Sequence, residues 1–181
     1  MEDKDLLWQE ESRTELYKTP VFTVTSRHSR GPKGIEGDYI VNEAHDWVIV
    51  IPVLNDDFLM VKQWRHGEKA LSIEFPGGVI DNGESADVGA RRELKEETGA
   101  TAGKLTLLGK MNPNPALFAN HVYVFCAENL SFSGKQNLDS DEYLNYMQMP
   151  QSEVFKIMGS KSCPHALMAA ALCLYREQYG K

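Results

Sequence analysis

The sequence predicts an α/β fold, an α/β/α sandwich on a mixed sheet, preceded by a small β-element. Three observations carry this. Trp47 to Leu54 is an unbroken run of apolar, largely β-branched residues, as in a strand covered on both faces. Strand-length and helix-length segments then interleave through to Tyr179, the pattern of a sheet layered between helices. A separate group of strand and turn signals precedes residue 45. Residues 1–45 are therefore expected to form the N-terminal β-element and 46–181 the main domain.

Residues 1 to about 20 are polar and charged, ending at Pro20, with Leu6, Leu7 and Trp8 as an expected anchor. Val21 to Thr25 reads as a strand, Arg30 to Gly34 as a turn and Tyr39 to Val41 as a second strand. Trp47–Leu54 turns at Asn55-Asp56-Asp57 and returns as Phe58 to Trp64, a hairpin in which Trp47 and Trp64 are expected in the strand core. Ser72 to Phe75 is a short strand ending at Pro76-Gly77-Gly78. A helix follows from Ser85 to Thr98, with Gly99 where a left-handed terminal residue belongs. Lys104 to Lys110, His121 to Ala127 and Glu142 to Met149 read as strands. The segments 152–158 and 166–179 read as helices, the second with a broad apolar stripe.

A net charge of −7 argues against a nucleic-acid backbone as partner, because such binders carry basic surface. It does not argue against a phosphate substrate, since cations can sit between carboxylates and phosphate. Cys126, Cys163 and Cys173 show neither CxxC pairing nor metal-ligand spacing and read as small buried hydrophobes. The N-terminal residues lack a signal-peptide pattern and the longest late apolar segment is too short to span a bilayer, so a cytoplasmic protein with no membrane partner is expected.

The helix from Ser85 carries the chemistry. At about 100° per residue, Glu93, Glu96 and Glu97 share one side with the small residues Ala86, Gly89 and Ala90, while Asp87, Arg91, Lys95 and Thr98 lie opposite. A solvated, salt-bridged helix surface has the same composition. Carboxylates crowded beside small side chains instead suit Mg²⁺ or Mn²⁺, hard cations that keep sites open for water and phosphate oxygens. The wider spacing separates the two readings. Gly78, five residues, Glu84, seven residues, then Arg92-Glu93-Leu94-x-Glu96-Glu97-x-Gly99 meets every fixed position of the Nudix box, a coincidence expected roughly once in 10⁷ to 10⁹ placements. The one departure is Ala100, where the box usually closes on a bulkier aliphatic residue.

The chain thus resembles the Nudix hydrolases, tightly from Glu74 to Gly99 and loosely over residues 20–180. Gln63-Trp64-Arg65, Glu74-Phe75-Pro76-Gly77-Gly78 and Pro115 are similar to the pattern of the ADP-ribose and nucleoside-diphosphate-sugar pyrophosphatase subgroup. The resemblance implies a Mg²⁺-dependent hydrolase, with Mn²⁺ as a substitute, that cuts a small nucleotide substrate into a nucleoside monophosphate and a sugar phosphate. It implies that Glu93, Glu96 and Glu97 ligate metal with the Gly77 carbonyl, and that Arg92 orients these acids. Glu84 supports that network, and Arg65, Glu74 and Pro115 contribute to substrate binding. It places the general base in the loop Asp139-Ser140-Asp141-Glu142, with Glu142 preferred, Asp141 or Asp139 as alternatives, and Glu96 as a further candidate. Phe22, Arg27 and His28 fall where the subgroup's N-terminal domain contacts a nucleobase, and a homodimer is implied. The competing readings are a Nudix hydrolase of dinucleoside polyphosphates or nucleoside triphosphates, and a non-catalytic ADP-ribose-sensing domain.

Overall fold

The computed structural model describes residues 2–132, 134–138, 140 and 142–180. Two compact units emerge, one made of Met1–His45 with Asn112–His121, the other of Asp46–Met111 with Val122–Lys181.

The first unit is a three-stranded antiparallel sheet of β1 (Gln9–Lys18), β2 (Phe22–Arg30) and β3 (Glu36–Ala44), in that order. β1 was not expected as a strand. Every one of its residues is exposed, so no alternation of apolar side chains marks it. Backbone pairing to β2 and cross-strand charge hold it instead: Arg30 reaches Glu11 at 2.7 Å, and Arg27 reaches Glu10 at 3.6 Å. Arg27 is engaged by Glu43 at 3.0 Å, and His28 by Asp38 at 3.0 Å. Charge along an exposed edge also discourages pairing with other chains. In Asn112–His121, Asn112 Nδ2 donates to the Phe118 carbonyl at 2.8 Å, closing the loop that carries Pro115.

The second unit is the layered domain. β4 (Trp47–Leu54) turns into β5 (Asp57–Arg65), and the two pair only beside the turn, at Val53–Phe58 and Leu54–Asp57. β6 (Ala70–Glu74) and β9 (Leu144–Pro150) both run antiparallel to β5. β8 (Val122–Phe132) runs parallel to β4 and antiparallel to β7 (Ala100–Met111), which makes the sheet mixed. The period-2 geometry of β4 sorts its side chains onto two faces. Val48 and Val50 pack with Leu59, Phe125 and the inward residues Ala90 and Leu94 of helix α1 (Ala86–Thr98). Ile49 and Ile51 pack with Phe58, Met60 and Val124 beneath α2 (Gln151–Ile157) and α3 (Ala166–Tyr179), which contribute Val154, Met168, Leu172 and Tyr175. Phe58 meets Tyr175 edge-on, with ring centroids 5.1 Å apart. The expected α/β/α layering is therefore present.

Trp64 corrects one expectation: it is 48% exposed, because it lies on the outward side of β5 near the strand end. Trp47 is half-buried and packs at the margin of the core under α3. Among the described residues, no helix is long and apolar enough to cross a membrane.

Candidate active site

After β6 the chain passes alongside β4: the Val50 and Val48 amides donate to the Pro76 and Gly78 carbonyls at 2.8 and 2.9 Å. This lays Gly77 and Gly78 directly against α1. A Cβ on Gly78 would lie 2.5 Å from Glu93 Oε1, and one on Gly77 would lie 2.2 Å from the Val48 carbonyl oxygen. Glycine at 77 is thus a demand of close backbone approach, whereas a Cβ at 78 would displace the carboxylate of Glu93. In return, the Gly77 amide donates to Glu97 Oε2 at 2.9 Å.

Helix α1 starts after Ser85 and ends at Gly99, whose φ of 71° is the left-handed conformation of a helix terminus. Its buried side holds Gly89, Ala90, Leu94 and Thr98, and with them Glu93 and Glu97, which are only 7% and 2% exposed. Thr98, placed opposite the acids by the helical wheel, is buried too, its hydroxyl bonded to the Leu94 carbonyl. Glu96 sits at the edge of this side and is partly exposed.

Arg92 ties the acids together. Its Nη1 donates to Glu93 Oε1 at 2.8 Å and to Glu96 Oε2 at 3.0 Å. Its Nε and Nη2 take the two oxygens of Glu84 at 3.0 and 2.9 Å, and Nη2 also reaches the Val79 carbonyl at 2.9 Å. The hydrogen bond to Glu84, then those to Glu93 and Glu96, raise the Arg92 pKa, and the same contact lowers that of Glu84. Glu84 Oε2 also accepts the Asp81 amide at 3.1 Å.

Glu97 and Glu93 behave in the opposite sense. Burial pushes the Glu97 carboxyl up to about 8; the Gly77 amide opposes this, and the charges of Glu93 and Glu142 add to it. Burial pushes Glu93 up to about 7, opposed by Arg92 and reinforced by Glu96 and Glu142. Desolvation in a cleft combined with like charge is the arrangement by which active sites hold acids away from their solution behaviour.

A cavity of about 410 Å³ opens over these groups, lined by Trp47, Gln63, Arg65, Gly77, Gly78, Asp81, Arg92, Glu93, Glu96, Glu97 and Glu142. The residues expected to hold metal, orient the acids and act as base thus share one cleft. Arg65 lines it while making a two-pronged pair with Glu74, at 2.8 and 2.6 Å. Burial alone would raise the Glu74 pKa, but the Arg65 guanidinium more than offsets it and the net direction is downward. Glu74 is fully buried and does not line the cavity; its carboxylate fixes Arg65 from behind. Pro115 belongs to the other unit. Asp139 and Asp141 lie outside the described residues. Trp47, expected in the strand core, also lines the cleft, and so does Asp81, which stands in no spacing that would reveal it.

The donor set fits a hard divalent cation: several carboxylates, backbone carbonyls nearby and no soft ligand. Among the described residues, no three acids yet converge as a ligand cluster. Arg92 holds Glu93 and Glu96 instead, so a cation would take oxygens that now face the guanidinium or the cleft.

Comparison with known proteins gives one consistent result. The NUDIX domain profile matches residues 44–162. The chain is 34% identical to the ADP-ribose pyrophosphatase of Bacillus subtilis over 131 residues, 71% of each chain. It is 29% identical to the ADP compounds hydrolase NudE of Escherichia coli over 162 residues, covering 88% of this chain and 87% of that one. A crystal structure of an ADP compounds hydrolase superposes with a TM-score of 0.82 at 26% identity, covering 94% of this chain and 93% of the other.

Proposed function

The chain belongs to the Nudix family of hydrolases acting on pyrophosphate bonds, and from that premise we propose that its substrate is ADP-ribose or a related nucleoside diphosphate sugar, cleaved to a nucleoside monophosphate and a sugar phosphate. The observation that carries this reading is the cleft in which Glu93 and Glu97 are buried beside Glu96 and Glu142. The matched relatives act, by their names, on ADP-ribose and ADP compounds.

The family typically uses a divalent metal. In this reading Glu93, Glu96 and Glu97, with the Gly77 carbonyl, would hold Mg²⁺ or Mn²⁺. When bound, the metal supplies positive charge to the diphosphate oxygens and to the charge that develops on them. Arg92, itself braced by Glu84, keeps Glu93 and Glu96 in register, while the Gly77 amide holds Glu97. Arg65, locked by Glu74, presents its guanidinium to a substrate phosphate. Glu142 takes the proton from the attacking water. The water oxygen bonds to one phosphorus, the bond from that phosphorus to the bridging oxygen breaks, and the departing phosphate leaves with the electron pair. Glu96 is the alternative base, since it is the most exposed acid of the three on the helix.

Incubation of the pure protein with ADP-ribose, with and without Mg²⁺, tests the proposal. Metal-dependent release of AMP and ribose phosphate is expected. Tight binding of ADP-ribose with no turnover in Mg²⁺ or Mn²⁺ would make the protein a sensor and overturn it. A preference for diadenosine polyphosphates or nucleoside triphosphates in the same assay would keep the chemistry and replace the substrate.

A further inference from the structure

The final carbonyls of a helix have no partners within it and must find them elsewhere. In α1 two of them are taken by one short stretch of chain. The Asn137 amide donates to the Glu96 carbonyl at 2.9 Å, and the Gln136 side-chain Nε2 donates to the Glu97 carbonyl at 2.6 Å. The same Nε2 lies 3.5 Å from the carbonyl of Leu144, the first residue of β9. A third contact lies just before these: a Cβ on Gly99 would stand 2.7 Å from the Gly134 carbonyl oxygen. Gly99 is therefore required twice, for its positive φ and for the close passage of this backbone.

These contacts close the base of a loop. Its first limb is bound to the end of the helix that carries Glu93, Glu96 and Glu97. Its second limb enters β9, where Leu144 pairs with Gln63 of β5. Glu142 stands between the two anchors and lines the cleft. The Gln136 carboxamide is the side chain that reaches both limbs.

We propose that Gln136 is a positioning residue, whose carboxamide joins the end of α1 to the start of β9 and so holds Glu142 at the carboxylate cleft. This rests on the assignment of Glu142 as base made above. The bond is made by a neutral amide N–H to backbone carbonyls, so what the site demands at residue 136 is a donor of suitable reach. A carboxylate there would face carbonyl oxygens, whereas an ammonium would be favoured by the negative end of the helix.

The test is a double-mutant cycle with ADP-ribose as substrate. Gln136→Met keeps length and bulk but removes the donor. It is expected to lower kcat about 10- to 100-fold, the scale of a misplacement of about 1 Å, with KM and Mn²⁺ affinity within about 3-fold of wild type, taken here as the scatter of such measurements. In a Glu142→Gln background the same change is expected to have no further effect on kcat. Gln136→Lys restores a donor and should return most of the rate, while Gln136→Glu should not. The Lys and Glu variants carry the comparison if the Met variant does not fold. Wild-type kcat in Gln136→Met, an equal loss in both backgrounds, a loss of Mn²⁺ binding that tracks the loss of rate, or equal rates for Lys and Glu each overturn the proposal. If Glu142→Gln itself turns over like wild type, the base assignment is what has failed, and that result stands apart from the others.

Discussion

Replacing Glu97 by Gln separates the cost of burying an acid from its use. The carboxyl is 2% exposed and its pKa is pushed up by burial to about 8, against an ordinary value of 4.5. Below pH 4.5 both the folded and the unfolded chain carry the proton, and burial of this charge costs nothing. Between pH 4.5 and 8 the unfolded chain releases the proton and the folded chain keeps it. Metal-free stability therefore falls with rising pH by about 1.4 kcal/mol per pH unit, for a total of about 5 kcal/mol, and levels off above pH 8. Glu93 adds a second decline that ends near pH 7. Gln at position 97 keeps the size of Glu and an oxygen to accept the Gly77 amide, but has no proton to lose. In EDTA at pH 8.5 the Glu97→Gln protein should melt about 10 °C above wild type, at 2–4 °C per kcal/mol for a chain of this size. At pH 4.5 the two should melt together. Adding Mg²⁺ should raise the wild-type melting temperature at pH 8.5, as any ligand of the folded state does, and barely move the variant, which should also lose hydrolysis. Melting curves followed by circular dichroism over pH 4.5–9, with and without metal, read all of this. A wild-type melting temperature that stays flat from pH 5 to 8 without metal would refute the reasoning, as would a variant that melts below wild type at pH 8.5.

Three further outcomes are expected. Arg65→Met should destabilise the protein by about 3 kcal/mol in urea denaturation, because it leaves Glu74 buried without its partner; the double variant Arg65→Met, Glu74→Gln should recover most of that loss. Gly78→Ala should weaken Mn²⁺ binding in calorimetry by about 10-fold or more, the scale of disturbing a ligand's surroundings, since its Cβ would push on Glu93 Oε1 from 2.5 Å; unchanged affinity would show that Glu93 can give way freely. Light scattering should return twice the chain mass, with residues 1–45 providing the contact: Leu16, Tyr17 and Val21 of that unit are exposed, and a truncation starting at Asp46 that remains dimeric would exclude this.

The parts of the fold legible in the sequence were those that buried side chains write into it. β4 was visible because both of its faces are covered, and α1 because its terminal glycine and its spacing of acids are fixed by geometry. β1 was not, because a strand made of charged residues and held by backbone pairing leaves no hydrophobic pattern. β7 and β8 run longer than expected for a related reason: the end of β8 beyond Ala127 is mostly exposed, and Ala100 and Ala102 of β7, though buried, are too small to mark a strand, yet the ladder continues to Ala100–Phe132. The acids of the cleft could be named from the box, but their pairing through Arg92 rests on distances that spacing alone leaves open. Gln136 illustrates the limit. One glutamine in a polar loop has no period and no motif, and its role appears only when the end of α1 and the start of β9 are seen together.

Helix α1 also shows why the acids are where they are. An amphipathic helix on a sheet gains most when its whole inward side is apolar, and Ala90 and Leu94 follow that rule over Val48 and Val50. Glu93 and Glu97 break it one step around the helix, where the neighbour is the glycine backbone of residues 77 and 78. There the Gly77 amide donates to Glu97, so the passage offers a polar partner that an apolar side chain would leave unused. A carboxylate fits, but without a cation it must either keep its proton or strain the fold. The close passage of Gly77-Gly78 and the burial of these acids together suit the small, highly charged cation with several oxygen ligands proposed above. That is why metal-free pH dependence is a sharper probe of this site than loss of activity, which many unrelated changes can cause.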